Sequence, residues 1–580
     1  METQRLILFF VFVFSTFMLV DAWQRDQRSS VGTTQANGTN GTNGANVANG
    51  KKAEGKADGG IPVPLAPQAT LPTQAPGSST AAIAGKAAPG GAVGIGGLPI
   101  KVETDVMRVE LSTQGGDVRH VEFKLHKGTL DKSKNFVLLQ STPDLIYIAQ
   151  SGLIGDGLPN HRTRYEAKSR DYTLADGAQA LEVRLEAAEP TVNGGNDIKV
   201  AQVYKFTRGS YLIEVAYEIS NGSDKTLTPY GYFQLVRGRK APEGDSAMLP
   251  TYTGAAVYTK GEKFQKVAFD DIDKGKTPYS KTSQDEGWVA MIQHYFLSAF
   301  LPKEKTPREF YTKSLEGGLY TAGTVITGAA IAAGKTGRVE APLYVGPQET
   351  AKLEKLAPGL DLVVDFGILT VIAVPLFMVL IWMHSWVGNW GIAIILLTVL
   401  LKAMFYPLQA ASYKAMAKMK LIAPKMQQLK ERYGDDRQRM QKGMMELYQK
   451  EKVNPMAGCL PIVVQMPVFI ALYWVILASV ELRHAPFYGW ITDLSSIDPW
   501  YVLPVLMGAS MIIQTKLNPE PPDPIQAKMM KIMPIAFSVF FFFFPAGLVL
   551  YWLVNNVLSI WQQWHINKQI EAASQKPAKA

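Results

Sequence analysis

The chain has 580 residues, a formal net charge of +9, 47% hydrophobic residues and one cysteine. A single thiol excludes a disulfide framework and a multi-thiolate metal site, so Cys459, inside an apolar segment, reads as a small buried hydrophobe. The averages hide a division: apolar residues gather at 6–20 and after 361, while 24–97 is poor in large ones. That pattern describes a membrane protein with a soluble portion and a linker.

Residues 6–20, LILFFVFVFSTFMLV, follow a head containing Arg5, and no convincing small-x-small cleavage site comes after them. This predicts an uncleaved signal-anchor transmembrane helix over 1–23 with its head in the cytoplasm. Residues 24–97, including NGTNGTNGANVANG, hold too little apolar surface to offset the entropy of ordering, which predicts a flexible periplasmic linker.

From 98 to 346 the hydrophobic period becomes two. Met107, Val109 and Leu111 alternate with Arg108 and Glu110; Leu181, Val183 and Leu185 form a second set; Ile213, Val215, Tyr217 and Ile219 face away from Glu214 and Glu218. Such alternation predicts a large antiparallel β-sandwich. His120, His126, His161 and His294 lack metal-ligand spacing, and neither HExxH nor a phosphate-cradling glycine loop occurs. The expectation is a non-enzymatic domain without cofactor or metal.

Residues 362–383, LVVDFGILTVIAVPLFMVLIWM, have the hydropathy of a span, interrupted by Asp365 and Pro375. Topology parity argues for an interfacial helix instead. The segment after 409 is strongly basic, from Lys414 to Lys452, and that bias marks the cytoplasmic side. With the head inside and one crossing at 6–20, residues 24–388 are mainly periplasmic, and one further crossing separates them from the basic segment. Residues 347–388 are therefore read as connecting and interfacial helices.

Residues 389–408, NWGIAIILLTVLLKAMFYPL, are that crossing, just long enough for a membrane and carrying one fixed charge, Lys402. A buried lysine faces a partner or a wet cavity by default, with Thr398 one turn earlier on the same face. The competing reading has Lys402 snorkel, but Gln409 at the end of the run is roughly 10 Å away along a straight helix. Residues 410–455 read as two helices around Gly434-Asp435-Asp436, a cytoplasmic hairpin with Met416, Met419, Met426 and Leu429 facing Met440, Met444 and Leu447. These faces form either an ordinary helical seam or an adaptable surface for apolar clients. The apolar runs 456–480 and 500–514 follow, and 532–563 splits at Pro545-Ala546-Gly547, returning the tail 567–580 to the cytoplasm. The sum is a polytopic α-helical membrane protein of six spans, five forming a core over 389–566, with a periplasmic β-sandwich.

NWGIAIILLTVLLKAMFYPL, KVNPMAGCLPIVVQMPVF and FPAGLVLYWLVNN resemble the YidC/Oxa/Alb insertase family, in its Gram-negative YidC form, over roughly 361–566. The resemblance implies a membrane protein insertase and chaperone that works alone or beside the Sec translocon. It implies contact with nascent membrane-protein clients, translating ribosomes and inner-membrane lipids, not DNA, and a location in the bacterial inner membrane. It further implies a polar groove of five helices, closed towards the periplasm, in which a basic residue attracts acidic parts of a client. The family generally has Arg there, so Lys402 keeps the charge and loses the bidentate fork. By the same resemblance Thr398 and Gln465 face the groove, Met466 and Tyr551 line the client's sliding path, Trp552 replaces the second of two paired aromatics, and Asn555 adds polarity. The sandwich is similar to sugar mutarotases without catalytic use. A transporter or channel using Lys402 as a solute-site charge is the alternative, though inverted repeats and broken-helix pairs are missing.

Overall fold

The computed structural model describes residues 97–155, 158–188, 198–242, 251–434, 436–451, 460–518 and 524–574. The expected signal anchor, the linker up to residue 96, Cys459 and residues 575–580 lie outside the described residues. The chain divides into two compact units between Gly346 and Pro347.

The first unit is two ten-stranded sheets. One runs through Thr282–Ser283, Arg308–Leu315, Leu319–Thr327, Tyr230–Gly238, Leu145–Ile154, Asn135–Thr142, Val118–Lys127, Met107–Ser112, Pro99–Glu103 and Asp171–Thr173. The other runs through Lys263–Val267, Gly254–Thr259, Gly287–Gln293, Phe296–Phe300, Leu343–Pro347, Leu212–Asn221, Ile198–Thr207, Ala180–Ala187 and Tyr165–Ala167, with Thr336–Glu340 also on Leu212–Asn221. Neighbouring long strands pair antiparallel, as Val215 with Tyr204 and Leu235 with Ala149 show.

All three alternating stretches read from the sequence are strands. Met107, Val109 and Leu111 are buried beside exposed Arg108, because one face of the pleat meets the core and the other meets water. Gly287–Gln293 and Phe296–Phe300 are instead buried at every position. The sheets face each other through ring and hydroxyl contacts. Phe123 lies 5.3 Å from Phe296, and Tyr147 donates to Met291 O at 3.0 Å while sharing a 2.6 Å bond with Ser298.

The second unit is helical: α1 (Thr350–Leu356), α2 (Thr370–Val387), α3 (Trp390–Met404), α4 (Tyr406–Tyr433), α5 (Arg437–Lys450), α6 (Leu460–Ala478), α7 (Val502–Leu517), α8 (Pro524–Phe541) and α9 (Ala546–Ser574). Among the described residues one helix, Gly367–Val387, is long and apolar enough by itself to cross a membrane; α3 and the start of α4 pass together as a bent pair, and α7 is a shorter apolar helix. The boundaries have local causes. Gly388, at φ +65°, ends α2 with its amide on His384 O, and Asn389 then caps α3 by accepting from Ile392 N at 3.1 Å. The long run 532–563 is divided between α8 and α9, the latter starting just after Pro545.

Two expectations shift. The stretch 362–383 is not one helix, since short 3-10 turns at Leu360–Val363 and Gly367–Leu369 precede α2, which extends on to Val387. Nor is 389–408 one straight helix: α3 stops at Met404 and α4 leaves it at 65°. Pro407 sits in the first turn of α4, where its missing amide is harmless, but in a continuous helix it would remove a hydrogen bond and clash with the preceding turn.

α4 and α5 form the expected hairpin. Ile422, Met426 and Leu447 are its buried centre, with Met419, Leu429, Met444 and Tyr448 against them. Asp436 caps α5 by accepting from Arg439 N at 3.0 Å. Met416 and Met440 stand outside that cluster.

Candidate functional site

α9 organises the membrane unit, packing on α7, α3, α4 and, over a smaller area, α6. The first amides of a helix have no partner within it. Here Ala546 N and Gly547 N donate to Ser496 O at 2.7 Å and Leu494 O at 2.9 Å, so the loop after α6 closes over that end of α9. Asp493 accepts from His484 N, Ser495 N and the hydroxyls of Ser495 and Ser496. Asp498 accepts from Trp490 Nε1, Trp500 N and Leu503 N. The same loop reaches α3, where Asn389 Nδ2 donates to Phe487 O at 3.3 Å.

Lys402 lies near the other end of α3, and its Nζ donates to Ser559 Oγ at 2.6 Å and Gln409 Oε1 at 3.4 Å. The straight-helix estimate put Gln409 beyond comfortable reach; the break after Met404 folds it back. Both acceptors are neutral, and among the described residues no carboxylate stands within ion-pairing distance of Lys402. Ser559 is itself buried and donates to Asn555 O at 2.8 Å, with the buried Tyr413 close by. Thr398 is buried one turn above Lys402, but its hydroxyl donates back to Ile394 O at 2.7 Å and does not join this node.

A second node lies across α6 and α9. Gln465 Nε2 donates to the Tyr551 hydroxyl at 2.5 Å. Trp552 packs edge-on against Phe469 at 4.4 Å and beside Phe541 at 5.4 Å. Met466, next to Gln465, is 40% exposed. Tyr551, Asn555 and Ser559 recur every four residues on α9 and so share a face over about 12 Å. The expected residues therefore fall into two groups, Lys402 with Asn555 through Ser559, and Gln465 with Tyr551, flanked by Met466 and Trp552.

Sequence reasoning missed Gln409, Tyr413 and Ser559, and also the polar pairs that fasten α9 to α7: Asn556 with Ser510 at 3.2 Å and Gln563 with Asn518 at 2.9 Å. The signal was present in NNVLSIWQQ, whose polar residues recur every three or four positions in an otherwise apolar helix.

The sandwich holds its own buried polar cluster. Asp117 accepts from Gln150 Nε2 at 3.0 Å and lies 3.5 Å from Arg119, and burial raises its carboxyl to about 7 against those two partners. The His161 ring meets the Tyr232 hydroxyl at 2.5 Å; burial, helped by the Arg162 charge, lowers it to about 4. Tyr204 donates to Gly116 O at 2.5 Å, and Gln202 Nε2 to Tyr204 and Ser151. The Gln202–Ser151 bond runs from one sheet to the other.

A bundle of apolar helices with one cation set among neutral polar side chains, following a separate β-sandwich, defines the class: a membrane-embedded protein with a soluble domain. The chain matches the family model of the YidC periplasmic domain over 99–379 and that of the 60Kd inner membrane protein over 382–574. It is 51% identical to the membrane protein insertase YidC of Nitrosospira multiformis, covering 100% of this chain and 99% of that one. It is also 51% identical to the YidC of Aromatoleum aromaticum over 100% of both chains. A crystal structure of an active YidC insertase aligns with 80% of this chain and 91% of its own, at 16% identity and a TM-score of 0.37. The chain belongs to the YidC membrane protein insertase family. A family of membrane insertases with a periplasmic domain places it in the inner membrane.

Proposed function

We propose that this protein inserts and helps fold inner-membrane proteins through a hydrophilic groove in which Lys402 attracts acidic parts of the client, alone or with the Sec translocon. The observation that carries this reading is the cation without a counter-ion. A charge held largely away from water is normally paired, because its desolvation is costly, and Lys402 is half-buried. Among the described residues Lys402 has only neutral acceptors, so a carboxylate arriving on a client would be its first ionic partner.

A hydrophilic tail entering bare hydrocarbon meets a steep desolvation barrier. Gln465 and Asn555, both partly exposed, offer it polar surface partway across, backed by the buried Thr398 and Tyr551. The client's apolar segment moves past Met466 and Trp552 towards lipid, driven by its own burial at about 25 cal/mol per Å². The basic α4–α5 hairpin faces the cytoplasm in this reading, where ribosomes and anionic headgroups are available partners. α2 lies at the outer interface, and the signal anchor with five core helices makes six spans.

The test is insertion of a short single-span client into proteoliposomes, comparing acidic and neutral tails. Lys402→Ala is expected to impair the acidic client more than the neutral one. Equal loss for both would count against electrostatic attraction, and solute flux through the same vesicles would favour a transporter.

A further inference from the structure

We propose that Ser559 is a positioning residue for Lys402: its hydroxyl anchors the ammonium against α9, with Gln409 completing the seat. The inference rests on the groove reading above and adds how the charge is aimed.

A lysine ends in a compact point charge on a four-carbon stem with many rotamers, so charge alone does not fix where it acts. Here the stem leaves α3 and the ammonium is received by two other segments. Ser559 on α9 takes one N–H at 2.6 Å, and Gln409 on α4 takes a second at 3.4 Å. The short bond is the anchor, since hydrogen bonds to charged donors are the shorter and stronger ones. Ser559 is prepared for it. Its own proton goes to Asn555 O at 2.8 Å, one turn earlier on the same helix, which turns its lone pairs outward as acceptors. The hydroxyl is buried, so it cannot swing away to water without giving up both the Asn555 and the Lys402 bond. An ammonium has three donors, and the third finds no acceptor among the described residues. That donor is the one available to an arriving carboxylate, and the seat fixes its direction.

The geometry also gives the break after Met404 a role. On a straight helix Gln409 would share the face of Lys402 but lie roughly 10 Å further along; with α4 turned 65° from α3 the two side chains meet, so the seat exists only when α3, α4 and α9 are all in place.

The experiment is a double-mutant cycle in proteoliposomes with acidic-tailed and neutral-tailed clients. Ser559→Ala is expected to slow insertion of the acidic client about tenfold or more, the scale of one charge-assisted hydrogen bond. The neutral client should be unaffected, Ser559→Thr should restore the rate, and Ser559→Ala should add nothing in the Lys402→Ala background. A merely structural role would slow both clients and would add to Lys402→Ala. A second readout needs no client. Acetic anhydride labelling of Lys402 in the purified full-length protein, followed by mass spectrometry, should accelerate several-fold in Ser559→Ala. Unchanged labelling together with unchanged insertion overturns the proposal. If Lys402→Ala itself fails to distinguish the two clients while labelling still responds to Ser559→Ala, the seat stands and the groove reading falls.

Discussion

Replacing Asp117 by asparagine exposes a compensation inside the sandwich. Folding raises the Asp117 carboxyl from 3.8 to about 7 and lowers the His161 imidazole from 6.5 to about 4. A raised carboxyl contributes stability that is full below 3.8 and is lost as pH climbs to about 7; a depressed imidazole contributes stability that is full above 6.5 and is lost as pH falls to about 4. Between pH 4 and 6.5 the unfolded chain carries one proton on His161, and the folded chain carries one on Asp117. The proton count is equal, so the two slopes cancel. At roughly 1.4 kcal/mol per pH unit, the opposing contributions are about 4 and about 3 kcal/mol. The assay is amide exchange of Val118–Lys127 and Leu145–Ile154 in the detergent-solubilised full chain, corrected for intrinsic pH dependence. The wild type should be nearly flat from pH 4.5 to 6.5. Asp117→Asn should lose roughly 2–3 kcal/mol on acidification over that window, and His161→Gln should lose a similar amount on moving the other way. A flat Asp117→Asn profile would refute the reasoning.

Two further perturbations address the membrane unit, besides the Lys402 and Ser559 variants. An added Cβ on Gly391 would lie 2.0 Å from Phe487 Cδ2, so Gly391→Ala is expected to lower Tm by several degrees through overpacking of about 1–3 kcal/mol. Phe487→Ala on top should recover most of it, and no recovery would place the strain elsewhere. Tyr551→Phe removes the acceptor of Gln465 Nε2 and should destabilise by about 1–3 kcal/mol in thermal melts. Adding Gln465→Leu should then change little or partly restore stability, whereas additive losses would show that the 2.5 Å bond does not couple the two residues.

What the sequence made legible followed from one-dimensional patterns. Met107–Ser112 announced itself because one of its faces is wet. Gly287–Gln293 was not legible as a strand, since a segment buried on both faces has no alternation to read. Lys402 stood out as a charge in an apolar run, yet its surroundings did not. Pro407 was visible, but distance along a straight helix hid the return of Gln409. Ser559 is 157 residues away from Lys402, and His161 is 71 from Tyr232, so neither pairing had a local signature.

The loop that closes over α9 has an electrical side. A file of water open at both ends of a bundle conducts ions and dissipates membrane voltage. Here Asp493 and Asp498 accept from groups of the loop and the start of α7, and the first amides of α9 donate to Ser496 O and Leu494 O, so the polar groups at that end of the bundle are paired within the protein. On the proposed reading, the polar face from Tyr551 to Ser559 shares the potential of the cytoplasm, and most of the voltage falls across the stitched end. A carboxylate seated at Lys402 has then crossed little of the field. Its remaining step, from the negative to the positive side, releases about 2.3 kcal/mol per elementary charge for every 100 mV. On that reading the closed end preserves the voltage and concentrates its pull on the last part of an acidic tail's passage.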